Sequence, residues 1–179
     1  MVWGNPTTIH ERKTIRLKEY DYSSPGGYFI TICTQGKICS LGKIVNEEMH
    51  LSSIGEIVER CWKDIPGHFP DVELDAYITM PNHVHGIIII NESGRGEVTS
   101  PLRKPTLGNM VAYFKYQSTK LTNEMNGNQG DRFWQRNYYE HIIRDDRDWE
   151  NIRDYIIYNP NKWKIDEENP DHICSSDSQ

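Results

Sequence analysis

Long apolar runs are missing from this chain of 179 residues: the longest is the isoleucine tract at 87–90, strand-sized and far short of the roughly 18 apolar residues a membrane span needs. The opening stretch, MVWGNPTTIHERK, has no apolar core of the kind a secretory signal requires, so a cytoplasmic protein is expected. Cysteine is sparse. Cys33, Cys39, Cys61 and Cys174 form no CxxC pair and are too scattered for a disulfide framework. A zinc site built from Cys33 and Cys39 with distant histidines would match no zinc spacing, which leaves reduced, structural thiols. Internal repeats and long low-complexity segments are absent as well.

Basic residues are missing from 165–179, where five acids (Asp166, Glu167, Glu168, Asp171, Asp177) stand alone and account for most of the formal charge of −6. Between 101 and 144 the balance reverses, with seven bases (Arg103, Lys104, Lys115, Lys120, Arg132, Arg136, Arg144) against three acids (Glu124, Asp131, Glu140). A polyanion can therefore find a basic face despite the acidic total. Charge by itself fits a solvated mixed surface better.

What the chain does contain is periodicity. Residues 28–34 (YFITICT) read as a buried strand after the turn signal SPGG, and 43–51 as a short hairpin. Ser53 and Glu56 form a capping-box pattern opening a helix whose apolar stripe is Ile54, Ile57, Val58, Cys61, Trp62 and Ile65, stopped by Pro66-Gly67. Strands at 72–80 and 83–91, joined by Pro81-Asn82, are expected to pair antiparallel. Thr106 caps a helix to about 124, residues 133–144 read as a strand with irregular ends, and a last helix runs from 146 to about 159. The order β, α, β, β, α, β, α predicts an α+β fold, a ferredoxin-like antiparallel sheet with helices packed on it. Residues 1–25 form a polar extension, 26–164 the domain, and 165–179 an acidic tail expected to be disordered.

His83 and His85 lie two apart on a strand, so both imidazoles face one side, which is half of a transition-metal site. Alone, the pattern is more often that of an exposed or hydrogen-bonded pair. On the last helix Tyr155 and Asn159, at i and i+4, share a face that would carry them toward the histidines. Tyr155 read alone is a core aromatic, and Asn159 before Pro160 a helix end.

The segment AYITMPNHVHG at 76–86, followed by the four isoleucines, resembles the histidine motif of the HUH single-tyrosine transposases. FWQRNYYEHIIR at 133–144 resembles the WQRxYYEHxIR block of their REP-associated tyrosine transposase branch. DYIIYNP at 154–160 is similar to that branch's tyrosine helix, and TLGNMVAYFK at 106–115 to the helix before it. The four blocks occur in the family's order between residues 28 and 163.

The resemblance implies a metal-dependent strand transferase acting on single-stranded or hairpin DNA. Tyr155 is implied as nucleophile, and His83, His85 and Asn159 as ligands of one Mg²⁺ or Mn²⁺. A 5′-phosphotyrosine would be the intermediate, because the linkage keeps the phosphodiester's reactivity for a second hydroxyl. Tyr138 and Tyr139 are expected to pack, and Tyr158 lies on another helix face, about 300° around. Glu140 and His141 read as positioning groups, and Lys115, Gln135 and Arg136 as DNA contacts. The alternative is a DNA-binding module that kept the fold without catalysis. No membrane partner is expected, and a homodimer stays open beside a monomer.

Overall fold

The computed structural model describes residues 17, 19–92, 104–127 and 130–171. Strand β1 (Gly26–Cys33) is followed by the hairpin β2 (Gly42–Val45) and β3 (Glu48–Leu51), then helices α1 (Ser53–Lys63) and α2 (Ile65–His68). Strands β4 (Val72–Thr79) and β5 (His83–Ile90) come next, then α3 (Leu107–Asn126), β6 (Tyr139–Ile143), α4 (Asp146–Ile157) and α5 (Asn159–Lys162). The main sheet has the order β4-β5-β1-β6, with every neighbouring pair antiparallel. This is the predicted ferredoxin-like arrangement, with the hairpin standing apart as a second, two-stranded sheet.

Alternation along the strands gives the sheet two apolar faces. Tyr28, Ile30, Ile32, Val84 and Ile88 meet Val58, Trp62, Met110 and Phe114 from α1 and α3 in the larger core. Phe29, Ile87 and Ile143 face the other way and pack with Ile156 of α4. Two glycines make the layers fit: a Cβ on Gly86 would collide with the indole of Trp62, and one on Gly27 with that of Trp149. Close approach of an aromatic ring to the sheet backbone is thus bought by leaving out a side chain.

Helix ends differ from the sequence expectations in ways that capping chemistry explains. The cap of α1 is Ser52, whose hydroxyl accepts from Gly55 N, one residue before the expected Ser53. Thr106 does cap α3, and its box partner is Asn109. The last helix breaks after Ile157 and restarts at Asn159, since Pro160 has no N–H with which to continue the ladder. The strand expected over 133–144 is regular only at Tyr139–Ile143; upstream a single bridge joins Thr34 to Trp134.

Both expected flanking segments enter the fold in part. Tyr20 and Tyr22 pack on Tyr28, so the polar extension ends in an aromatic cluster. The acidic tail starts within the structure too: Asn82 Nδ2 donates to the Glu168 carbonyl at 2.6 Å, and Lys37 Nζ lies 3.0 Å from the Glu168 carboxylate. The reason is local, because the tail's first acids find donors at the end of β5. The rest of both segments, 1–16, 18 and 172–179, lies outside the described residues.

Candidate active site

Pro81 and Asn82 turn the chain into β5, and the strand's first residues enter a fully covered position: His83 is 0% and His85 2% exposed. In register, His83 sits opposite Cys33 and His85 opposite Thr31 on β1. The orientation of Asn82 is set by two carbonyls, of Lys37 and Glu168, that can only accept from its nitrogen. Its oxygen therefore faces His83 Nδ1 at 2.8 Å and accepts that proton, which leaves His83 Nε2 as a lone pair. His85 Nδ1 lies 2.8 Å from the Thr31 hydroxyl. The two Nε2 atoms approach to 2.9 Å, a distance that requires a hydrogen or a cation between them.

Burial keeps both imidazoles neutral. The pKa of His83 is pulled down by burial to about 4, against the opposing pull of Asp166 and Glu168, and that of His85 falls well below its ordinary value through burial and the charge of His83. Neutral imidazoles are the form that binds metal.

Tyr155 reaches the pair from α4. Its hydroxyl is 3.2 Å from His85 Nε2, and its ring stands edge-on to Phe29, with centroids 5.9 Å apart. The ring remains 40% exposed. Burial raises the phenol's pKa, the Asp166 charge adds to this, and a hydrogen bond from Asn159 opposes it. Asn159 belongs to α5 and not to the tyrosine helix, yet it is 1% exposed and its Oδ1 is buried without a hydrogen-bond partner. Such an orphaned acceptor, lining the same cavity as His85, suits a cation.

Asp166, which the sequence reading assigned to the tail, completes the set. Its carboxylate and one nitrogen from each of His83 and His85 all lie within 4.8 Å of one another, the one such group of three or more His, Cys, Asp or Glu among the described residues. The signal for Asp166 was weak, an acid seven residues past Asn159, and nothing in the pattern tells it from its acidic neighbours. Two nitrogens, an amide oxygen and a carboxylate form a donor set compatible with a divalent metal.

Beside this cluster opens a cavity of about 700 Å³. Its lining includes the apolar Phe29, Tyr139 and Ile152 and the acidic Asp166, Glu167 and Glu168. His141 also lines it, paired with Asp148 at 2.8 Å. Tyr139, expected to be packed, is 47% exposed there. Tyr158 is 55% exposed and does not line the cavity.

None of the three expected DNA contacts lines that cavity. Lys115 donates from Nζ to the carbonyls of Gln135 and Asn137, both at 2.9 Å, and burial lowers its pKa to about 8. It is a brace for the segment leading into β6. Gln135 is half-buried, with its backbone N–H on the Cys33 carbonyl, and Arg136 is exposed.

No protein-family profile matches the chain. An uncharacterized protein of Haemophilus influenzae is 44% identical over 170 residues, covering 89% of this chain and 93% of that one. A second protein of the same organism, provisionally named a REP-associated tyrosine transposase, is 30% identical over 151 residues, or 79% of this chain and 74% of its own length. Among solved structures, a REP-associated tyrosine transposase bound to a REP hairpin superposes with a TM-score of 0.57 at 21% identity, over 82% of this chain and 73% of that one. That last likeness concerns the fold.

Proposed function

The chain belongs to the REP-associated tyrosine transposases, a membership that supports a transposase-like, DNA-processing function, and from it we propose that the protein cuts and rejoins single-stranded DNA at hairpin-forming sequences through Tyr155. The observation that carries this reading is the Tyr155 hydroxyl 3.2 Å from His85 Nε2, beside a cavity that Asn159, with its buried Oδ1 unpartnered, also lines.

His83, His85 and Asn159 would hold one Mg²⁺ or Mn²⁺, with Asp166 within reach as a further ligand. A cation there supplies Lewis-acid polarisation of the scissile phosphate and offsets its charge. Asn82 and Thr31 hold the two imidazoles in orientation. Phe29 fixes the Tyr155 ring edge-on, so that the hydroxyl faces the cluster. Tyr155 Oη forms a bond to phosphorus as the bond to the 3′-oxygen breaks. The phenol proton leaves to solvent, to which the ring is partly open, and the departing oxygen takes a proton to become a 3′-hydroxyl. The phosphotyrosine keeps the ester's reactivity, so a second 3′-hydroxyl can reverse the step on a new strand.

The test is incubation with labelled single-stranded hairpins and Mn²⁺, read as a denaturation-resistant protein–DNA adduct. Wild type is expected to form it, and Tyr155→Phe to reduce it by at least about a thousandfold, in keeping with loss of a covalent nucleophile. Undiminished adduct in the variant would remove Tyr155 from the role.

A non-catalytic hairpin-binding module is the second reading, favoured by the three carboxylates of 166–168 beside the place a phosphate would occupy. Hairpin binding insensitive to chelator, with no adduct from wild type, identifies that case.

A further inference from the structure

Phe29 stands between two exposed tyrosines. Tyr155 meets it edge-on on one side, and Tyr139 of β6 meets it on the other, with centroids 6.1 Å apart and planes at 67°. Phe29 itself is 7% exposed and stacks on His85 at 5.5 Å, so the aromatic row leads directly from the histidine pair to Tyr139. Tyr139, Phe29 and Ile152 give the 700 Å³ cavity apolar lining, and His85, Tyr155 and Asn159 line the same cavity. A strand residue with nearly half its surface open, beside a seat for a phosphate, has the features of a stacking platform. Other exposed tyrosines, Tyr116 and Tyr158, do not line this cavity.

We infer that Tyr139 stacks on the base of one nucleotide flanking the scissile phosphate, and that the cavity lined by Tyr139 and Ile152 is the seat of that base. The inference rests on the strand-transfer reading above, since that reading places the phosphate at the histidine pair. It also gives the cavity one occupant: a base joined through its deoxyribose to the phosphate at Tyr155. Tyr139 is thus a positioning residue, holding the strand so that the phosphate reaches the hydroxyl of Tyr155.

A double-mutant cycle between protein and DNA tests this. Wild type, Tyr139→Phe and Tyr139→Ala are titrated with labelled single-stranded hairpins in which one abasic nucleotide is walked along the single-stranded arm. Tyr139→Ala is expected to weaken binding of intact DNA on the order of tenfold, and Tyr139→Phe to preserve it. At one position next to the cleavage point the abasic substitution should cost wild type the same factor and cost Tyr139→Ala nothing further. Penalties that simply multiply at every position, or intact affinity in Tyr139→Ala, overturn the inference. Adduct formation by wild type is scored in parallel. Its absence counts against the strand-transfer reading, whereas adduct together with multiplying penalties counts against the role of Tyr139 alone.

Discussion

At Asn82 a single side-chain amide commits both of its N–H donors and its oxygen to the site: the nitrogen donates to the carbonyls of Lys37 and Glu168, and the oxygen accepts from His83 Nδ1. The His83 tautomer follows from that orientation, and with it the direction of the Nε2 lone pair. Outer partners of this kind typically alter metal affinity by about 10- to 100-fold when removed. Asn82→Ala is accordingly expected to weaken Mn²⁺ binding by that factor in isothermal titration calorimetry while the protein still folds. Unchanged affinity would mean that the ring is oriented by something other than Asn82.

Among the elements, α4 decides where Tyr155, the proposed nucleophile, sits. It packs on the sheet face opposite α1 and α3, with Trp149 laid over Gly27 and Ile156 against Phe29 and Ile87. Asp75 of β4 fastens it further, accepting from Arg153 Nε at 2.8 Å and from the Trp149 indole. Burial pushes the Asp75 carboxyl up, but these two hydrogen bonds outweigh it and hold its pKa below the ordinary 3.8. A carboxyl so lowered contributes stability that is present above the ordinary value and is lost as pH falls through the folded one. Asp75→Asn should therefore cost about 1 kcal/mol at pH 7, a figure kept small because Arg153 is half exposed. The gap in Tm between variant and wild type should narrow below about pH 4. A gap that stays constant down to pH 2.5 would show that packing, and not the charge, holds the helix.

On the scale of the whole molecule, the tyrosine and the histidines belong to one compact unit. Only Arg144 and Asp145 separate β6 from α4, and α4 is held by its own β4 and β1. A complete site within one chain predicts that a mixture of Tyr155→Phe, which keeps the histidines, with His85→Ala, which keeps the tyrosine, forms no adduct. Recovery of adduct on mixing, in the gel assay with differently sized tags, would instead show that the helix is exchanged between two copies.

Much of this was legible in the residues because it depends on short-range pattern. Alternation over 26–33 and 83–90 sets which side chains share a face, so His83 and His85 had to point the same way wherever the strand lay. The i, i+4 spacing of Tyr155 and Asn159 likewise put them on one side, even though Pro160 splits their helix in two. The ferredoxin-like class and the antiparallel pairing of β4 with β5 followed from the succession of elements. Depth and long-range approach were not legible. Whether Tyr139 is packed or open depends on what lies across the sheet, and whether Lys115 is a free cation depends on two carbonyls twenty and more residues away. The local composition around Asp166 is acidic and polar, the pattern of a solvated tail. Asp166 lies at the histidine pair because Asn82 and Lys37 draw the chain back over the end of β5, a contact between segments more than 80 residues apart. Periodicity thus determined the faces and the candidate ligands. Only the folded chain, by closing distances that sequence separation does not encode, decided which groups surround them.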